Sequence, residues 1–289
     1  MFYKLPEFNY YKPSNLKELL ELIDKLDDYK ILAGGTDLLI DMRIKRYEPR
    51  NIVDINHVKE LEYILVKENK LHIGALTRLQ TLIDSKIIFE KTPLLHEAVS
   101  SMGSWQIRCL ASIGGNLCNA SPAADTAPPL LVYNAELVLS SRIGERVVSI
   151  HEFFKGPRQT VLNKNELLKE IIVPILENYG YSYIKIGRRN SFTLSIVSVA
   201  TLLKIENNVF KDVRIALNSI APIPIRAKSV EEYLINREVS DSVIEDASKR
   251  VLYDISPITD IRASADYRRR ISIIVVQDSI REAVDYLKR

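Results

Sequence analysis

An apolar strand running directly into two adjacent glycines constrains this chain more than any other feature. Ile31-Leu32-Ala33 leads into Gly34-Gly35-Thr36-Asp37. Glycine lets a backbone turn with φ above zero and lets another group come close to the amides. Consecutive amide N–H groups at such a turn form a concavity that favours anions. The spacing is not G-x-G-x-x-G, and no Gly-Lys-Ser/Thr follows, so neither the Rossmann fingerprint nor a P-loop is present. Taken alone, the pair is also what a plain tight turn looks like. A second pair sits in Ser112-Ile113-Gly114-Gly115-Asn116, which continues through Asn119 and Ser121 to Asp125. Ser112, Asn116, Ser121 and Asp125 are short polar groups suited to phosphate and sugar hydroxyls. Two glycine turns could cradle the two phosphates of a pyrophosphate from opposite sides.

The surrounding pattern reads as α+β. Leu16, Leu19, Leu20 and Ile23 fall at helical spacing after Ser14, the expected N-cap. Tyr29 to Ala33 and Asn51 to Ile55 read as strands around the first glycine pair, with a short helix at Leu38, Leu39 and Met42. Glu68-Asn69-Lys70 and Glu206-Asn207-Asn208 each separate two apolar runs and predict hairpins. Thr77 with Gln80 three residues on predicts a capped helix through Ile83, and Pro93 opens another. Ala111 to Pro129 is rich in small residues, Asn and Pro, and reads as a long irregular functional segment. Strands follow at Ala135 to Ser140, Arg146 to Ile150, Leu168 to Val173 and Tyr181 to Gly187. Three helices close the chain, over about 228–234, 241–253 and 265–287. The best domain boundary lies at Glu177 to Gly180.

Composition excludes several classes. Net charge is only +3 and the basic residues are scattered, too weak a bias for nucleic acid. Arg268-Arg269-Arg270 sits in a helical stretch and reads as a solvated face. No apolar run approaches a membrane span, and Met1-Phe2-Tyr3-Lys4 opens without a leader-like stretch, so a cytoplasmic protein is expected. Two cysteines, Cys109 and Cys118, cannot ligate an iron–sulfur cluster, which takes four thiolates. His57, His72, His96 and His151 lack metal spacing. No metal site is expected in this chain.

The two glycine segments together resemble the flavin-binding signatures of the FAD subunits of molybdenum hydroxylases. That family includes the medium subunits of carbon monoxide and aldehyde dehydrogenases and the FAD domain of xanthine dehydrogenase. The resemblance extends over essentially the whole chain, including the Gly156-Pro157-Arg158-Gln159-Thr160 turn and the stretch from Lys185 to Arg189. It implies a PCMH-type FAD-binding fold of two α/β subdomains, about 1–58 and 59–176, followed by a C-terminal domain over 177–289 with an antiparallel sheet and helices. It implies non-covalent FAD, held first by Lys30, Ile31, Leu32, Ala33, Gly34, Gly35, Thr36, Asp37 and Leu38. The second segment supplies Ser112, Gly114, Gly115, Asn116 and Ser121, and Asp125 matches a position that contacts ribityl or ribose hydroxyls. Leu162 falls where the family packs an apolar residue near the flavin. Lys185 matches a lysine near the isoalloxazine ring, where a cation favours the anionic reduced flavin. Tyr183 matches a ring that covers one flavin face in some relatives, and reads equally well as an amphipathic strand residue. Cys118 is expected to lie near the cofactor as a packing residue.

The resemblance further implies molybdopterin in a large partner subunit, two [2Fe–2S] clusters in a small one, and a dimer of heterotrimers. This chain then passes electrons from those clusters to an external acceptor, and no side chain of its own is catalytic. The free-standing length favours a separate subunit over a fused enzyme. The Ile- and Lys-rich sequence resembles archaeal medium subunits of aldehyde or glyceraldehyde oxidation, with carbon monoxide and heterocycles as other substrates of the complex. Two other readings are a self-sufficient FAD oxidase or reductase and a cofactor-free assembly subunit.

Overall fold

The computed structural model describes residues 4–189 and 192–288. Residues 1–3, part of the stretch read for a leader, lie outside the described residues. Three sheets of three or more strands, with their helices, follow one another along the chain, and a fourth is a two-stranded pair.

The first sheet is parallel, in the order β1 (Asn9–Tyr11), β3 (Asn51–Asp54), β2 (Tyr29–Leu32). Helix α1 (Leu16–Lys25) buries Leu19 and Ile23 against Val53, Ile55 and Leu61. Its cap is Asn15, one residue later than expected: Asn15 Oδ1 accepts from the Glu18 amide at 2.9 Å, and Glu18 reaches back to the Ser14 amide and hydroxyl. Helix α2 (Leu38–Arg43) leaves the glycine loop that follows β2.

The second sheet has the order β4 (Ile64–Lys67), β5 (Lys70–Gly74), β10 (Leu167–Pro174), β6 (Glu136–Ser141), β7 (Gly144–Ser149), with antiparallel pairing throughout. Glu68 and Asn69 both take φ near +55°, the tight-turn geometry that the β4–β5 hairpin demands. Between β5 and β6 run α3 (Leu79–Asp84), α4 (Lys86–Lys91), α5 (Pro93–Ser100), α6 (Trp105–Leu110), α7 (Ile113–Cys118) and α8 (Ala127–Val132). The Thr77 capping box does not form. Arg78 stands at the cap of α3, and the Thr77 hydroxyl donates to the Tyr63 carbonyl instead. The segment from Ala111 to Pro129 is not irregular either, since α7 and the start of α8 lie within it. Six-residue helices carry too few turns for a periodic signal, and burial supplies their stability. Leu94, Val99, Ile113, Leu117 and Leu130 are fully buried in the core that fills this half. Helix α9 (Ile150–Phe153) and the short pair β8 (Phe154–Gly156) and β9 (Gln159–Thr160) lead into β10.

The third sheet, order β11 (Gly180–Gly187), β12 (Ser195–Glu206), β13 (Val209–Asn218), β14 (Ile225–Arg226), is antiparallel. Its central strand β12 is covered on both faces. Ala200 and Leu202 pack into the core of the second sheet, while Val197, Val199 and Leu203 face a separate core. That core is closed by α10 (Lys228–Leu234), α11 (Asp241–Lys249) and α12 (Ala265–Leu287). A half-buried sheet alternates apolar and polar residues. A strand covered on both faces buries its polar positions too, so Ser195 to Leu203 is buried without a break, Ser195, Ser198 and Thr201 included. The basic run on α12 is not uniformly solvated. Arg268 is buried, pairs with Asp260 at 2.8 Å and donates to the Ser219 carbonyl, whereas Arg269 and Arg270 are exposed. A buried arginine needs such partners. Among the described residues no helix is long and apolar enough to cross a membrane.

Candidate flavin site

The two glycine segments meet across one cavity of about 260 Å³. Lys30, Ile31, Ala33, Gly34, Gly35, Thr36, Asp37 and Leu38 line it from the first sheet, and Ser112, Gly114, Gly115, Asn116 and Cys118 from the second half, with Leu162 between. Leu32, Ser121, Asp125, Tyr183 and Lys185 are not part of its lining. Leu32 turns behind the loop, where its side chain supports Gly35. Ser121 accepts the Ala123 amide in a local turn at 3.2 Å.

The four glycines serve different ends. Gly35 has φ +67°, the left-handed conformation that glycine takes without penalty. Gly34 does not, but a Cβ there would lie 2.0 Å from the Leu110 carbonyl oxygen at the end of α6. Arg78 fastens this contact. Its guanidinium donates to the Leu110 carbonyl and to Asn56 Oδ1, and Asn56 Nδ2 donates to the Ala33 carbonyl at 2.9 Å. Gly114 meets Ala75 in the same way, at 2.6 Å. Gly115 is different, because a Cβ there would meet only the Ser112 hydroxyl, at 2.9 Å. Its missing side chain keeps that wall of the cavity hollow.

The amides differ too. Ile113 donates to Thr77 O, Gly114 to Ala75 O and Gly115 to the Ser112 hydroxyl, which caps α7. In the second segment the amides of Ile113 to Asn116 are bonded within the protein, while those of the first glycine loop are not. The amides of Gly35, Thr36, Asp37 and Leu38 have no acceptor among the described residues. An amide needs a partner when it is covered, and this row offers its donors to a ligand. A diphosphate fits it, and the hollow at Gly115 leaves room opposite.

Several wall residues carry no motif signal. Asp41, on α2, is buried and held by Arg46 and by Arg158 at 2.5 Å; Arg158 also bonds Asn119 Oδ1. This ties the first sheet to the loop between β8 and β9. Burial raises the Asp37 carboxyl pKa, and nearby Asp41 adds to the effect while Arg158 opposes it. Lys30 lies 4.3 Å over the Tyr47 ring. The Arg146 guanidinium, 2.6 Å away, pulls Glu166 down to about 2. Burial pushes the Cys118 thiol up to about 12, so at neutral pH it is an un-ionised wall group.

Asp125, Tyr183 and Lys185 gather elsewhere, where β11 meets the connection between α7 and α8. Lys185 Nζ lies 2.6 Å from Asp125 Oδ2 and 3.1 Å from the Ser101 carbonyl. The Tyr183 hydroxyl donates to Asp125 at 3.2 Å, and burial followed by the Asp125 charge raises its pKa well above the usual value. The Tyr183 ring packs against the core of the second sheet. Lys185 also lines a second cleft of about 420 Å³ with Ser101, Gly103, Arg108 and Arg189.

The sequence model of the FAD binding domain in molybdopterin dehydrogenase matches residues 6–176, and that of the CO dehydrogenase flavoprotein C-terminal domain matches 182–283. The chain belongs to the molybdopterin dehydrogenase flavoprotein family. This family member is 35% identical to the glyceraldehyde dehydrogenase medium chain of Sulfolobus acidocaldarius, over 96% of this chain and 98% of that one. It is 33% identical to the xanthine dehydrogenase FAD-binding subunit of Escherichia coli O157:H7, over 96% of both. Its fold matches carbon monoxide dehydrogenase from Hydrogenophaga pseudoflava with a TM-score of 0.95, 29% identity, and coverage of 98% and 99%. The flavoprotein family's expected α+β architecture is the one observed.

Proposed function

We propose that this chain holds FAD non-covalently and is the subunit through which a molybdenum hydroxylase delivers electrons to an external acceptor. The observation that carries the reading is the row of unpartnered amides from Gly35 to Leu38 facing the Gly115 hollow across one cavity. When bound, FAD supplies a centre that takes up two electrons and exchanges them singly with iron–sulfur clusters. The chain's own residues bind and orient. The amide row holds the diphosphate, Ile31, Ala33, Cys118 and Leu162 exclude water along the wall, and Lys185, which the family resemblance matches to a lysine near the isoalloxazine ring, lines the second cleft. Tyr183 is assigned to packing and to Asp125 rather than to stacking on the ring.

The same reading places molybdopterin in a large partner and [2Fe–2S] clusters in a small one, in a dimer of heterotrimers located in the cytoplasm. It divides the chain into an FAD-binding domain over 1–176, with subdomains about 1–58 and 59–176, and a C-terminal domain over 177–289. The two family matches, which end at 176 and begin at 182, support that division. Similarity to the glyceraldehyde dehydrogenase medium chain favours an aldehyde as substrate of the complex. The purified chain should bind FAD yet oxidise no aldehyde until its partners are added. Substrate turnover by the chain alone contradicts this reading and revives the self-sufficient oxidase.

A further inference from the structure

The carboxylate of Asp125 is gripped by the C-terminal sheet. Ser195 Oγ donates to Oδ1 at 2.5 Å, Asn218 Nδ2 at 3.1 Å, Tyr183 at 3.2 Å and Ser198 Oγ at 3.5 Å, while Lys185 takes Oδ2 at 2.6 Å. These donors come from β11, β12 and β13, whereas Asp125 belongs to the connection between α7 and α8. A carboxylate has about two lone-pair sites on each oxygen, so Oδ1 is fully taken up and Oδ2 keeps one site beside Lys185. Asp125 and Lys185 are 6% and 7% exposed. A buried charge of either sign alone is strongly unfavourable. The Lys185 ammonium therefore reaches the wall of the second cleft already neutralised and fixed in place, with the Ser101 carbonyl as its other acceptor.

We propose that Asp125 is a positioning residue that holds and electrically compensates Lys185, so that a flavin ring in the second cleft meets an ion pair instead of a bare cation. This rests on the reading that the ring lies beside Lys185. The pair then sets how strongly the protein favours the reduced, more negative flavin. Without Asp125 the cation acts unopposed. Without Lys185 the carboxylate acts unopposed, in the other direction.

The neutral Asn of D125N is tolerated better than a truncation. Asn218 Oδ1 is buried and has no partner among the described residues; its Nδ2 faces Asp125 at 3.1 Å, so a half-turn of the Asn218 amide lets an amide at 125 donate to Oδ1. The test is the midpoint potential of bound FAD in wild type, D125N, K185M and the double variant, alongside FAD affinity and urea unfolding. The potential should rise in D125N, fall in K185M and return close to wild type in the double. Ser195→Ala, which keeps both charges, should lower stability without moving the potential. If K185M moves the potential and D125N does not, compensation is refuted while the ring placement stands. If neither moves it although FAD binds, the ring is not at Lys185 and the underlying reading fails. Should D125N not fold alone, the double must still lie above K185M, and an equal or lower potential overturns the proposal.

Discussion

The two glycine pairs look alike as text and behave differently as structure. Gly34-Gly35 forms a true loop whose following amides stay unpartnered, whereas Gly114-Gly115 opens a short helix whose amides are already bonded. The first pair offers donors, and the second offers space. Within each pair one glycine is demanded by packing and the other by the cavity. Gly34 and Gly114 let backbones touch, while Gly35 sets a left-handed turn and Gly115 keeps a wall hollow. On the proposed reading the anion site combines one donating segment with one that yields room.

That contrast can be broken most forcefully at the packing glycines. Gly34→Ala and Gly114→Ala drive a Cβ into backbone at 2.0 Å and into Ala75 at 2.6 Å. They should cost more than about 4 kcal/mol, the range of severe core disruption, and show as loss of the cooperative thermal transition. Next come the cavity glycines. Gly115→Val should leave a folded chain by circular dichroism but abolish FAD binding in a fluorescence titration, because it fills the hollow. Gly35→Ala should cost about 1–2 kcal/mol of left-handed strain and weaken FAD at least tenfold by displacing the amide row. Ser112→Ala removes the cap of α7 and should lower stability by about 1 kcal/mol in urea unfolding, with a smaller loss of FAD affinity.

A separate effect is in pH dependence. Arg146 holds Glu166 at about 2 in the folded state, below its ordinary value near 4.5. A depressed carboxyl stabilises the fold above the unfolded pKa and loses that contribution as pH falls toward the folded one. Wild type should lose this part of its stability between about pH 4.5 and 2. Glu166→Gln should start lower and fall less over that window in urea midpoints.

Much of this was legible in the residues. Strands with a clear apolar run and hairpins marked by Glu68-Asn69 or Asn207-Asn208 are local signals, and they appear where the sequence places them. Helix α7 was not legible, because its six residues include two glycines and its stability comes from burying Ile113 and Leu117. The cavity's glycine walls were visible as motifs. Asp41, Asn56 and Arg78 were not, since their partners lie 5 to 117 residues away and no spacing announces them. Asp125 carries a second role that its motif did not announce, because strands about sixty to ninety residues downstream take up its Oδ1.

The central claim is that one cavity between the two glycine segments holds FAD. Its most direct test is an equilibrium titration of FAD into the apoprotein, wild type against Gly115→Val, with both folds verified. One FAD bound per wild-type chain and none by the variant is the predicted result. Equal binding by the two proteins contradicts it.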